Sequence, residues 1–248
     1  MFPLLQLGPL ALRLPGLFLL SGLWLGLRLV EKESRRQKLP TVTIYNLVFY
    51  GVVAGVIGAR LWYAGRYFSV YWADPLSLFS LNPATLAPSE GLLTGFLVAL
   101  IYGQRQGLTL WPTLDALTPG LALFAMFLGI AHLASGDAFG APTELPWGIQ
   151  LWGEVRHPSQ VYEIIAAGLI VLAARRLQTQ SRSDGVTFLA WTALTASCRL
   201  FLEAFRGDSV IVLGSVRAAQ LVSLMVLLLA LWGMRARSVQ QQPSGREL

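Results

Sequence analysis

Seven stretches of this chain are long and apolar enough, or nearly so, to match the hydrocarbon thickness of a bilayer, and some carry charges inside. They run over residues 14–30, 43–65, 90–102, 114–133, 161–177, 185–205 and 216–234, the third extending to 88–104. A hydrocarbon core about 30 Å thick is crossed by roughly 20 helical residues. The expected fold class is therefore an all-α membrane protein with about seven transmembrane helices, one domain over 1–234, and a polar cytoplasmic tail at 235–248. Composition agrees. Only 13% of the 248 residues are charged and 54% are hydrophobic, whereas soluble domains keep roughly a quarter charged.

The basic residues set the expected orientation. Arg28, Lys32, Arg35, Arg36 and Lys38 follow the first run, Arg105 the third, and Arg175, Arg176 and Arg182 the fifth. Arg235 and Arg237 follow the last. Cationic loops stay in the cytoplasm, which predicts an outer amino terminus and a cytoplasmic carboxyl terminus. The same cations, in place of a small-residue cleavage site, make the first run a retained helix instead of a signal peptide. Residues 67–87, rich in tyrosine, tryptophan and proline, are expected to form an arm at the membrane interface. Residues 135–156, with Pro142, Pro146 and several glycines, are expected to form a small extracytoplasmic cap.

The net charge of +6 lies in short loops with no aromatic interleaving of an RNA-binding kind, which argues against nucleic acid. The single cysteine, Cys198, excludes an internal disulfide and any CxxC motif. It reads as a small hydrophobe. Two histidines, His132 and His157, make a histidine-rich metal centre unexpected. No metal or cofactor is expected.

Ionisable groups at membrane depth cost at least about 2.5–3.5 kcal/mol each on insertion scales and normally face an interior where they function. Arg199, Glu203 and Arg206 are spaced four and three apart, on one helical face. Glu203 would neutralise one arginine and leave the other a free planar fork, suited to two oxygens of a phosphate. The alternative is a buried ion pair that fixes helix packing, or an arginine snorkelling outward. Gln160 and Glu163 share a face near the start of the fifth run, just after His157, which reads equally as a base or as a helix-end residue. Arg60 and Tyr63 end the second run, where Arg60 reads equally as a ligand-binding or a snorkelling group.

These stretches resemble the prolipoprotein diacylglyceryl transferase family, in matching order along nearly the whole chain. His157-Pro158-Ser159-Gln160-Val161-Tyr162-Glu163 is similar to the family's HPSQ-x-YE run. Gly8-Pro9-Leu10-Ala11-Leu12 resembles its segment before the first span. Gly58, Arg60 and Tyr63 fit G-x-R-x-x-Y. Gly91-Leu92 fits the end of an HGGL-like motif, and Ser135-Gly136-Asp137 with Gly140 resembles NGE-x-x-G. Leu145-Pro146-Trp147-Gly148 matches LPWG, and Arg199, Glu203, Arg206 and Gln220 fit the last two spans.

The resemblance implies a seven-helix body with arm and head segments in a bacterial inner membrane. It implies transfer of diacylglyceryl from phosphatidylglycerol, an anionic phospholipid of the bilayer, to the lipobox cysteine of a preprolipoprotein. Arg199 and Arg206 would bind phosphate with Arg60 and Tyr63 on the substrate side, Glu203 would orient the arginines, and His157, Gln160 and Glu163 would shape the acceptor side. The sequence departs from the family where Pro15 replaces a tyrosine, Ser89 and Glu90 replace a histidine and a glycine, Gly129 replaces an arginine, His132 an asparagine and Ser135 another asparagine. Either His132 or Glu90 supplies a replacement base, or the chain binds an anionic phospholipid or a partner helix without transfer. A solute transporter, the third alternative, would need broken helices in paired halves.

Overall fold

The computed structural model describes residues 4–7, 10–80, 82–180 and 184–240. Gly8 and Pro9 of the amino-terminal motif, Arg182 of the basic group, Leu81 of the expected arm and the tail from 241 onward lie outside the described residues. A short hairpin, β1 (Leu4–Leu7) and β2 (Leu10–Arg13), leads into helix α1 (Leu14–Arg36). Helices α2 (Thr41–Arg66), α3 (Phe68–Ala73), α4 (Pro88–Arg105) and α5 (Leu110–Ser135) follow. A second hairpin, β3 (Ile149–Leu151) and β4 (Glu154–Arg156), precedes α6 (Ser159–Gln180) and α7 (Val186–Leu202). The last hairpin, β5 (Ile211–Leu213) and β6 (Val216–Arg217), opens α8 (Ala218–Gln240).

The protein is an all-α membrane protein. Among the described residues, five helices are long and apolar enough to cross a bilayer: α1, α2, α5, α7 continued to Phe205, and α8 as far as Arg237. Large apolar side chains such as Phe49, Phe96, Leu169, Leu228 and Trp232 stand exposed, as they do when the solvent is lipid. The sequence led to about seven spans. The two others, α4 and α6, form helices of 18 and 22 residues but are not among the five. Glu90, Gln104 and Arg105 in α4, and Gln160, Glu163, Arg175 and Arg176 in α6, dilute their apolar content. Proline stands inside α5 at Pro119, yet the helix runs through it.

Two compact units form, Met1–Glu33 with Leu114–Leu248, and Ser34–Thr113. In the smaller unit, α2 and α4 pack through glycines spaced four apart on each helix, Gly51 and Gly55 against Gly91 and Gly95. A Cβ on Gly95 would stand 2.5 Å from the Gly51 carbonyl oxygen, and one on Gly91 2.7 Å from that of Gly55. Small residues let helix backbones approach closely where no hydrophobic effect drives association. Beyond α2 the chain winds through α3 and two 3-10 turns, Pro75–Phe79 and Pro83–Thr85, and is tied back where the Ala87 N–H donates to the Ala59 carbonyl at 3.0 Å.

In the larger unit, α7 has no local side-chain cap. Asp115 of α5 supplies it: its carboxylate accepts the backbone N–H of Gly185 at 2.6 Å and that of Phe188 at 2.8 Å. Side-chain oxygens of this kind satisfy first-turn donors that have no intrahelical partner. The β3–β4 hairpin turns on Trp152 and Gly153, both at positive φ, which is the two-residue turn that matches strand twist.

Replacing Gly95 by leucine should lower stability by about 1–3 kcal/mol, the usual cost of overpacking a close seam, read as a fall in the melting temperature of the detergent-purified protein. Phe96→Leu, at a neighbouring exposed position, should leave the melt unchanged within error.

Candidate functional site

Three chain segments are stitched together at one end of α5, α6 and α7. The turn after α5 lies between the start of α6 and the end of α7. The Ala141 N–H donates to the Phe205 carbonyl at 2.8 Å, the Gly207 N–H to Phe139 at 2.9 Å, and the His157 N–H to Ala141 at 3.0 Å. Gly140 sits at the crossing, where a Cβ would meet the His157 carbonyl oxygen at 2.1 Å; no other residue fits without moving the backbone. Side chains lock the same turn. Ser159 Oγ donates to the Ala138 carbonyl at 2.6 Å, and Gln160 Nε2 to that of Asp137 at 2.9 Å. Gln160 is fully buried, and its Oε1 has no partner among the described residues. Arg156 lies 5.0 Å over the Phe139 ring and donates to the Gly140 carbonyl.

That frame holds a cluster of five charges. Glu163 Oε1 accepts from Arg206 Nη1 at 2.8 Å and from Arg199 Nη1 at 3.1 Å, so one carboxylate oxygen serves both guanidinium groups. Glu203 Oε2 pairs ionically with Arg199 Nη2 at 3.0 Å and lies 3.9 Å from Arg206 Nε. Its other oxygen accepts from Ser209 Oγ at 2.5 Å. Arg206 Nε and Nη2 both donate to Asp208, at 2.9 and 2.6 Å. Burial by itself would lower the pKa of Arg206, yet the hydrogen bonds and charges of Asp208 and Glu163 outweigh it and raise the value above that of a free arginine. Arg206 is a permanent cation. His132 joins from α5, with Nδ1 3.8 Å from Glu163 Oε2.

The residues singled out from the sequence therefore fall into groups. His132, Glu163, Arg199, Glu203 and Arg206 come together, and Gln160 anchors the turn beside them. The expected free fork is corrected: both arginines are engaged, because Glu163 is shared and Asp208 takes the outer edge of Arg206. Guanidinium donors withdrawn from water need acceptors, and the nearest carboxylates supply them. Among the described residues, His157 makes no carboxylate contact. Its ring stacks edge-on 5.2 Å from Phe205 and 6.3 Å from Tyr162, and Trp147 Nε1 donates to the Tyr162 hydroxyl at 2.8 Å.

Three further candidates lie in the Ser34–Thr113 unit. Arg60 is buried, and its guanidinium donates to the carbonyls of Leu78 (2.9 Å), Thr85 (2.8 Å), Ser77 (2.8 Å) and Ser80 (2.7 Å), and to the Thr85 hydroxyl. Tyr63 stacks on Tyr67, with Tyr71 nearby. Glu90 pairs with Arg66 and accepts from Ser89 Oγ. Reasoning from sequence missed Asp208, Ser209 and Asp115, and gave Ser159, quoted within the HPSQ-x-YE-like run, no role of its own. An acid two residues after Arg206 was a readable signal for the first, but it falls beyond the apolar run.

Fold and site together define a helical membrane protein that holds two guanidinium groups among carboxylates where α6 and α7 meet their connecting loops. The chain matches the family model described as prolipoprotein diacylglyceryl transferase over residues 3–236 and belongs to that family. It is 28% identical over 256 residues to the phosphatidylglycerol–prolipoprotein diacylglyceryl transferase of Trichormus variabilis, covering 97% of this chain and 90% of that one. The enzyme of the same name from Clostridioides difficile is 28% identical over 210 residues, covering 85% and 84%. That from Staphylococcus aureus is 25% identical over 252 residues, covering 96% and 89%.

Glu163→Gln keeps the shape of the shared acceptor and removes its charge. It should lower stability by about 1–3 kcal/mol, since hydrogen bonds to charged groups are worth about that much, and a thermal melt in detergent reads the change.

Proposed function

We propose that this chain transfers the diacylglyceryl group of phosphatidylglycerol to the lipobox cysteine thiol of a prolipoprotein, at the outer face of a bacterial inner membrane. The acceptor sulfur forms a bond to the glyceryl carbon, the carbon–oxygen bond to phosphate breaks, and glycerol phosphate departs with the negative charge. The observation that carries this reading is the pair of arginines gathered on Glu163 in a chain of this family. Cations aimed at a leaving phosphate stabilise the charge that develops there. Arg206 and Arg199 take the phosphate, with Glu163 and Glu203 fixing their orientation. A thiol of pKa about 8.5 must lose its proton to attack, and His132, beside Glu163, is the base we favour. Glu90 is committed to Arg66 and Ser89. His157, with Gln160, shapes the acceptor wall through Tyr162 and Phe205. Arg60 and Tyr63 act by ordering the 67–87 arm on the substrate side.

The basic loops support seven spans, with the amino terminus outside and the carboxyl terminus in the cytoplasm. Residues 135–156 would then cap the outer face, and α4 and α6 would cross with polar ends.

Lipid binding without transfer is the second reading. Gly129 favours it: a Cβ there would stand 2.9 Å from Ile164 Cγ1, so this seam is closed by packing and carries no cation.

Protein in phosphatidylglycerol vesicles, given a lipobox peptide, should yield a peptide heavier by one diacylglyceryl group in a mass spectrum. Arg206→Ala should cut the rate about 100-fold or more, the scale seen when a charge-stabilising donor is removed. Phosphatidylglycerol binding with no adduct at any time would establish the second reading instead.

A further inference from the structure

The charges where α6 and α7 meet their loops do not sum to a site that attracts an anion. Arg199 and Arg206 bring two positive charges, and Glu163, Glu203 and Asp208 bring three negative ones. With His132 neutral the balance is −1. A phosphodiester enters at constant charge only by replacing a carboxylate, and the three carboxylates are not equivalent. Glu203 is 2% exposed, fixed by Ser209 and paired with Arg199. Glu163 serves both arginines at once from a helix. Asp208 stands outside any helix or strand and is exposed, and all its side-chain hydrogen bonds among the described residues go to Arg206.

The local backbone lets this side chain leave alone. Gly207, immediately before it, is pinned by its N–H to Phe139 and by close approach to the Gly140 carbonyl, so Asp208 can swing about χ1 while Arg206 stays in place. The edge it covers, Nε with Nη2, is the guanidinium edge that pairs two oxygens of one anion. Meanwhile Nη1 remains on Glu163.

We propose that the Asp208 carboxylate is a resident stand-in for phosphate: it fills the Arg206 fork until the phosphodiester of an anionic phospholipid displaces it. The inference rests on the lipid reading above. No bond is made or broken in the exchange. One anion leaves the fork for water or the headgroup layer as another enters, so the net charge of the cluster is unchanged and Arg206 Nε and Nη2 are not left without an acceptor. Asp208 thereby sets the threshold affinity for lipid and keeps the fork closed to single-oxygen acceptors.

The test measures binding of short-chain dihexanoyl phosphatidylglycerol to the detergent-purified full chain, with inorganic phosphate and dihexanoylglycerol as parallel probes. Asp208→Asn replaces a charged competitor by a neutral one. It should tighten phosphatidylglycerol binding roughly tenfold, about 1.4 kcal/mol, and leave dihexanoylglycerol unchanged. Asp208→Ser should do the same, and thermal melts verify that both variants fold. The gain should vanish when Arg206→Lys is added, because lysine has no fork. If wild type binds phosphatidylglycerol in an Arg206-dependent way and Asp208→Asn binds equally or more weakly, Asp208 is an orienting partner and the stand-in is overturned while the site reading survives. A gain confined to inorganic phosphate overturns the lipid assignment. Absence of Arg206-dependent phosphatidylglycerol binding in every variant overturns both.

Discussion

One oxygen of Glu163 accepting from two arginines is the interaction around which the rest of the larger unit is arranged. Arg199 and Arg206 both belong to the α7 end and, at this separation, would repel each other without an anion between them. In a medium of low dielectric that repulsion is costly; Glu203 on the same segment offsets part of it, and Glu163 brings a second anion from a neighbouring element. Glu163 has to be presented by α6 at a fixed depth, which is why the start of α6 is anchored so heavily. Ser159 and Gln160, four and three residues earlier, bind the carbonyls of Ala138 and Asp137, and the intervening turn is sewn to Phe205 and Gly207. The hydrogen bonds around Gly140 thus set where a carboxylate stands one turn deeper.

Much of the fold could be read from the sequence, since a run of about 20 apolar residues has few alternatives to a helix in lipid. The boundaries of α1, α2, α5, α7 and α8 lie within several residues of the apolar runs that announced them. A single apolarity criterion does not serve every helix equally. Helices α4 and α6 earn their helicity from packing and anchoring as much as from apolarity: α4 through its glycine seam on α2, α6 through its locked first turn. Polar residues such as Glu90 and Glu163 weaken an apolar window while being satisfied by partners far away in sequence. The division of the chain at Ser34 falls within the charged stretch that ends α1, whereas the one at Leu114 lies inside the apolar run of α5 and carries no charge run of its own.

For the candidate site, the helical spacing of Arg199, Glu203 and Arg206 was readable because periodicity of three and four is local. The sharing of Glu163 was not, since it depends on the relative height of two helices, and neither was the capture of Arg206 by Asp208, set by a loop. His157 shows the limit of reading residue type: surrounded by polar sequence neighbours, it spends its ring on Phe205 and Tyr162. Arg60 shows the converse. Its place near a helix end suggested a side chain reaching for the headgroups, yet its donors hold four main-chain oxygens of the following segment, so the side chain works as a spool around which the irregular chain is wound.

The borrowed cap on α7 bears on how such a chain is made. Synthesis delivers α5, with Asp115, before the donors of Gly185 and Phe188 exist. The acceptor therefore waits at its post while α6 is threaded. The first turn of α7 has nothing of its own to lean on until it reaches that carboxylate, which makes docking and completion of this helix a single event and couples biogenesis of the arginine-bearing segment to correct seating of the one before.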